Sequence, residues 1–174
     1  MFNQLKYPFD INFILRKRKK LRSELLKTSK LKPIKIAILG GSTTSDISDM
    51  LEIFLLQAGF IPEFYISEYA KYFEDAVIDN TDLKLFAPDI TYVFTTRKNI
   101  IFKPKIFDSP EEVAECIEKE LDRYKEIWQS LKNDLGCTII QNNFDLPNVR
   151  TLGGLDTNEL YGETNYIMRL NLEF

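Results

Sequence analysis

The sequence predicts an α/β protein, a three-layer α/β/α sandwich around a parallel sheet. Three observations carry that expectation. Strand-like apolar runs alternate with helix-like amphipathic segments along the 174 residues, as crossovers between parallel strands require. The first run, "IKIAILGGSTTSD" at 34–46, empties through Gly40-Gly41-Ser42 into a helix, the kind of turn at which α/β proteins place nucleophiles and phosphate sites. Polar residues also gather where strands end: Ser42 and Thr43; Thr95, Thr96, Arg97 and Asn99; Gln141, Asn142 and Asn143.

Each element has its own signal. A basic helix covers about 10–29, striped by Phe13, Ile14, Leu21, Leu25 and Leu26, and "KLKP" breaks it. The first strand follows at 34–39. A helix from about 45 to 58 carries Ile47, Met50, Leu51, Phe54 and Leu55 at helical spacing and stops at Gly59. The second strand is "FIPEFYI", with a partly helical aromatic stretch through Tyr69, Tyr72 and Phe73 after it. "LKLFAP" reads as a short turn before a third strand at about 90–95. Ser109-Pro110-Glu111-Glu112 is a capping box with proline at the first helical position. It opens a long helix ending near Gly136. "CTIIQN" is the fourth strand, and a last helix runs from about Tyr161.

Composition narrows the classes of function. A 44% hydrophobic, 13% aromatic chain of this length buries one sizeable core. Its apolar runs are too short to span a bilayer, and its start lacks a secretory signal pattern. Cys116 and Cys137 read as thiols in a reducing cytoplasm. Residues 1–35 hold eleven Lys and Arg against Asp10 and Glu24, leaving the remainder at −12. The run Arg16–Lys20 with Arg22 raises nucleic acid or an anionic membrane as a partner. It lacks interleaved aromatics and a recognisable nucleic-acid module, so a solvated helix face beside an acidic body is the expected reading.

The glycine turn admits several chemistries. No lysine follows Gly41, as a P-loop needs, and the third glycine of a dinucleotide fingerprint is missing. Ser42 is sterically suited to be a nucleophile, but a serine hydroxyl needs a base and the chain has no histidine. Asp46 and Lys98 do not form the pattern of a Ser-Lys dyad. Gly40, Gly41 and Ser42 at a helix start offer backbone donors to an anion or carbonyl oxygen, with Thr43, Arg97, Asn99 and Asn142 beside them. Equally, the glycines need only allow a sharp turn, with Ser42 or Thr44 capping the helix.

"ILGGSTT", "AGFIPEFYISEYAKYFEDAVID", "LKLFAPDITYVF", "TIIQNNFDLP", "LGGLD" and "NYIMRLN" occur in that order, and together they resemble the N-terminal region of FkbH-like proteins. The resemblance implies an SGNH (GDSL-like) hydrolase fold of flavodoxin type, normally followed by a haloacid-dehalogenase-type phosphatase domain. Some members of that family load a glyceryl unit onto an acyl carrier protein; others belong to surface-polysaccharide loci. Ser42 matches the SGNH serine. Glu68-Tyr69-Ala70 and Phe73-Glu74-Asp75 stand where the second-block glycine belongs, and Asn99 is about two residues out of register as the third-block asparagine. The aspartate-x-x-histidine block is absent; "RLNLEF" lies in the helix before the strand that precedes it. No Asp-x-Asp phosphatase motif occurs.

These readings divide the chain into a basic helical extension, 1–33, and an SGNH-like domain, 34–174, lacking its last strand. The expected role is a catalytically degenerate docking module for a substrate or acyl carrier protein, partnering a phosphatase-like domain of the same polypeptide. No cofactor is expected in this chain, since Mg belongs to the phosphatase domain, and neither nucleic acid nor a membrane span is expected. A serine acyl esterase or acetyl transferase with its histidine further along, and an interaction or oligomerisation scaffold, stand as alternatives.

Overall fold

The computed structural model describes residues 5–27 and 30–174. Four strands, β1 (Lys32–Gly40), β2 (Phe60–Ile66), β3 (Ile90–Phe94) and β4 (Thr138–Gln141), form one sheet in the order β2-β1-β3-β4, every pair parallel. Helix α1 (Ile11–Leu25) precedes them, α2 (Ser45–Gln57) joins β1 to β2, and α3 (Thr81–Phe86) leads into β3. Helix α4 (Pro110–Leu135) joins β3 to β4, and α5 (Leu155–Asn158) and α6 (Glu163–Glu173) follow.

The strands' two-residue periodicity sorts side chains onto the two faces of the sheet. Ala37, Leu39 and Val93 face a large core closed by Val113, Ile117, Leu121, Tyr124, Ile127 and Leu131 of α4 and by Tyr166, Ile167 and Leu170 of α6. The α4 residues recur three or four apart, which lays one apolar stripe along the helix. Ser109 Oγ and Glu112 close the predicted capping box, with Pro110 at the first turn and Gly136 ending the helix at φ 62°. On the opposite face α2 covers the sheet and α1 packs outside it, through Ile14, Leu21, Leu25, Ile53 and Leu56. Arg18 pairs with Asp49 and Arg22 with Glu52 across the two helices. Over β3 and β4 this face carries a groove of about 390 Å³, lined by Ile36, Leu51, Leu55, Ile90, Tyr92, Ile140 and Asn142.

Several boundaries differ from expectation. Lys32 and Pro33 belong to β1 instead of breaking a helix. There β1 pairs with β2 alone, because the β3 pairing begins only at Ile36, so a residue with no N–H leaves no rung unmade. The basic helix ends at Leu25, and the expected extension over residues 28 and 29 lies outside the described residues. "LKLF" is part of α3, following a π-helical turn at Glu74–Ile78. The fourth strand is limited to 138–141, and the final helix starts at Glu163.

Three tyrosines register the packing. Burial, then the Asp75 carboxylate that accepts the Tyr65 hydroxyl at 3.2 Å, pushes Tyr65 up to about 12. Burial likewise raises Tyr124 and Tyr166. A phenol whose folded value lies above its unfolded one adds stability below the unfolded value, near 10, and loses it as pH rises through the folded value. We therefore expect stability to fall from about pH 10 to pH 12. Tyrosinate absorbance from these side chains should appear together with loss of far-UV circular dichroism. Full tyrosine ionisation in a chain that keeps its native spectrum would contradict this packing.

Candidate functional site

The crossover after β1 runs to one side of the sheet, and the crossover after β2 passes back over β1 to the other. The crevice at the carboxyl ends of β1 and β3 is therefore the topological switch point, where open α/β sheets take ligands. The glycine turn lies there.

Backbone and side-chain amides lace the strand ends together. Gly41 N–H donates to Phe94 O at 2.8 Å, and Gly40 N–H donates to Ser67 Oγ at 2.9 Å. Asn99 Nδ2 donates to Gly41 O at 2.9 Å, while Asn99 Oδ1 accepts from Thr96 N–H at 2.9 Å. A Cβ at position 41 would stand 2.5 Å from Asn99 Cγ and Nδ2, so it is the asparagine carboxamide that favours glycine there. On the other side, Asn142 Oδ1 accepts from Thr95 N–H at 3.1 Å, and its Nδ2 donates to Thr95 O at 2.7 Å. This carboxamide adds one more rung to the β3–β4 pairing.

A buried ion pair supports the loop from below. Arg123 and Glu120 of α4 meet at 2.6 Å, their side chains 10% and 0% exposed. Arg123 also donates to Asn99 O at 2.9 Å and to Tyr72 Oη at 2.7 Å. Glu120 Oε2 accepts from Ile101 N–H and Phe102 N–H, each at 3.0 Å. Burial works against the Arg123 charge, but the Glu120 hydrogen bond and neighbouring groups outweigh it and raise its pKa, so the guanidinium remains protonated. Neither residue stands out in the sequence: Glu120 and Arg123 look like two more charges in a charged helix. The available signal is that Glu120 falls on the α4 stripe with Val113, Ile117, Tyr124 and Ile127.

The expected site residues thus divide. Gly41 and Asn99 are brought together, and Asn142 joins β3 to β4 and lines the apolar groove on the α2 face. Arg97 is held by Glu163 at 2.9 Å and by Asp145 at 3.5 Å, so two carboxylates already balance its charge. Gly40 and Gly41 have both their N–H groups engaged. Ser42 is half-buried and Thr43 exposed, and the Ser42 hydroxyl has no hydrogen-bond partner among the described residues. Thr44, the residue before α2, makes no side-chain cap bond. What faces outward is a serine hydroxyl beside the uncapped, positively polarised start of a 13-residue helix. Such an arrangement attracts an anion or a carbonyl oxygen. No group of three or more Asp, Glu, His or Cys side chains among the described residues is placed to hold a metal ion.

Fold and site together define an α/β/α sandwich with an order 2-1-3-4 parallel sheet and a serine-bearing glycine turn at its switch point. The chain is similar in fold to a crystal structure of the N-terminal part of the protein BF1531 from Bacteroides fragilis, described as containing a phosphatase domain complexed with Mg. The TM-score is 0.69 at 21% sequence identity, covering 90% of this chain and 40% of that one. This chain therefore spans well under half the length of that neighbour. No family model matches the sequence, and no curated protein matches it.

The Gly41–Asn99 contact makes a direct prediction. Gly41→Ala should destabilise the protein by about 1–3 kcal/mol through overpacking, measured by urea unfolding. In an Asn99→Ala background the same substitution should cost less by about 1 kcal/mol or more, as contacting residues couple. Additive costs would show that the two do not touch.

Proposed function

We propose that this chain is a catalytically degenerate SGNH-like domain of the FkbH-like kind. It docks a substrate, or the phosphopantetheine arm of an acyl carrier protein, for a phosphatase-like domain in the cytoplasm. The observation that carries this reading is Ser42: its hydroxyl stands at the switch point, and no histidine exists in the 174 residues to activate it. Asn99 further supports it. The Asn99 carboxamide is committed to holding the turn, its Nδ2 donating one N–H to Gly41 O and its Oδ1 accepting from Thr96 N–H. The start of α2 retains its affinity for a phosphate or carbonyl oxygen without any nucleophile. The fold neighbour's phosphatase domain lends support to the same arrangement, with the Mg chemistry outside this chain.

The test is a titration of the isotope-labelled chain with 4′-phosphopantetheine, followed by nuclear magnetic resonance, beside a hydrolysis assay on p-nitrophenyl acetate and butyrate. Amide shifts should concentrate at Ser42, Thr43 and the first turn of α2, and ester turnover should differ by less than about twofold between wild type and Ser42→Ala. Absence of any shift would favour a scaffold that binds nothing at the crevice. Turnover abolished by Ser42→Ala would favour a serine esterase with an unconventional base.

A further inference from the structure

We infer that the cleft between the loop after β3 and the start of α6 is a binding site for a small carboxylate with a compact apolar body. The cleft has a volume of about 270 Å³, and neither the Ser42 turn nor α2 lines it. Its floor is apolar: Ile100, Tyr166 and Ile167 are 5%, 2% and 1% exposed, and Pro104 completes the wall. The loop that forms this wall is tied at three backbone atoms. Glu120 takes Ile101 N–H and Phe102 N–H, and Tyr166 Oη donates to Phe102 O. The cleft is therefore formed by the protein's own bonds, as small-molecule sites usually are.

The polar groups identify the charge of the ligand. Lys103, Tyr161, Glu163 and Tyr166 line the cleft, and two of them are engaged. Tyr166 Oη is spent on Phe102 O at 2.6 Å, and Glu163 accepts from Arg97 at 2.9 Å. The Lys103 ammonium and the Tyr161 hydroxyl have no hydrogen-bond or ion-pair partner among the described residues. What the cleft offers is one uncompensated cation and one phenol donor over an apolar floor. That set fits an anion. With a single free cation it fits a singly charged carboxylate better than a phosphate ester, whose charge approaches −2. The volume falls just below the range of about 300–1,000 Å³ for drug-sized ligands, so the body is one ring or a short branched chain. Phe107 supplies an aromatic surface beside it. Its ring is 85% exposed and meets Tyr161 edge to face at 5.8 Å, with the backbone at φ 71°, a region that bulky residues rarely adopt.

The experiment is a titration of the isotope-labelled full chain with phenylacetate, followed by nuclear magnetic resonance, with phenylacetamide and phenyl phosphate alongside. The expected result is saturable amide shifts at Ile100, Lys103, Tyr161 and Ile167, with a dissociation constant of about 1 mM or tighter. Ser42→Ala should leave them unchanged. Phenylacetamide keeps the body and loses the charge, and should bind about tenfold or more weakly. Lys103→Gln should weaken phenylacetate by a similar factor, and Tyr161→Phe by severalfold. Lys103 is exposed and Tyr161 half-buried, so thermal melts should match wild type, which separates lost binding from lost folding. No saturable shift at these residues up to about 10 mM phenylacetate would overturn the proposal. So would equal binding of the amide, or binding indifferent to Lys103→Gln, since the charge would then not be read. Tighter binding of phenyl phosphate would overturn it too, and would assign the cleft to a phosphate ester.

Discussion

The Glu120–Arg123 pair inside α4 holds the carboxyl end of the sheet in shape. A carboxylate and a guanidinium removed from water are costly unless each finds further partners. Here the carboxylate takes two backbone N–H groups, from Ile101 and Phe102, and the guanidinium takes Asn99 O and Tyr72 Oη. These bonds fix the loop after β3, and that loop delivers the Asn99 carboxamide to Gly41. A helix behind the sheet thereby determines the conformation of a turn at its mouth. Tyr72, Tyr124 and Tyr166 close the same region, with Tyr166 Oη donating to Phe102 O at 2.6 Å.

The consequence for function lies in where the polar groups are engaged. Asn99, Asn142, Ser67, Thr96 and Arg97 each bond to the protein itself, so the polar groups at the strand ends are largely self-satisfied. What remains for a ligand is narrow: the Ser42 hydroxyl, exposed Thr43, and the uncapped start of α2. Recognition of an anion or carbonyl there needs no acid, base or metal. Catalysis of acyl transfer would need a proton acceptor within hydrogen-bond reach of Ser42, and that requirement separates docking from hydrolysis in this fold.

Much of the architecture is legible in the sequence because it rests on short-range signals. The apolar run into Gly40-Gly41 marks β1 and its turn, and Ser109-Pro110-Glu111-Glu112 marks the start of α4; both hold in the structure. The α/β/α class follows from strands alternating with helices. Pro33 misleads because the reading assigns proline to a breaker, whereas a strand paired on one side tolerates it. Helix α3 is too short, at six residues, for periodicity to declare itself. At the site, the glycine turn and the polar strand ends are legible as positions but not as roles. Arg97 finds Glu163 66 residues away, and Asn142 finds Thr95 47 residues away; such partners are fixed only by tertiary structure. The same holds for Glu120 and Arg123, whose neighbours along the helix reveal nothing of the loop they bind.

In the proposed role Ser42 is accessible but has no base to activate it, and covalent labelling reads out that difference. A fluorophosphonate probe reacts with a serine hydroxyl only when a neighbouring base raises its nucleophilicity. Incubating the native chain with the probe and measuring intact mass by mass spectrometry gives a plain readout. The expected result is an unshifted mass, the same as for Ser42→Ala. A stoichiometric adduct that maps to Ser42 and disappears in Ser42→Ala would contradict it, and would mean that this turn holds a working nucleophile.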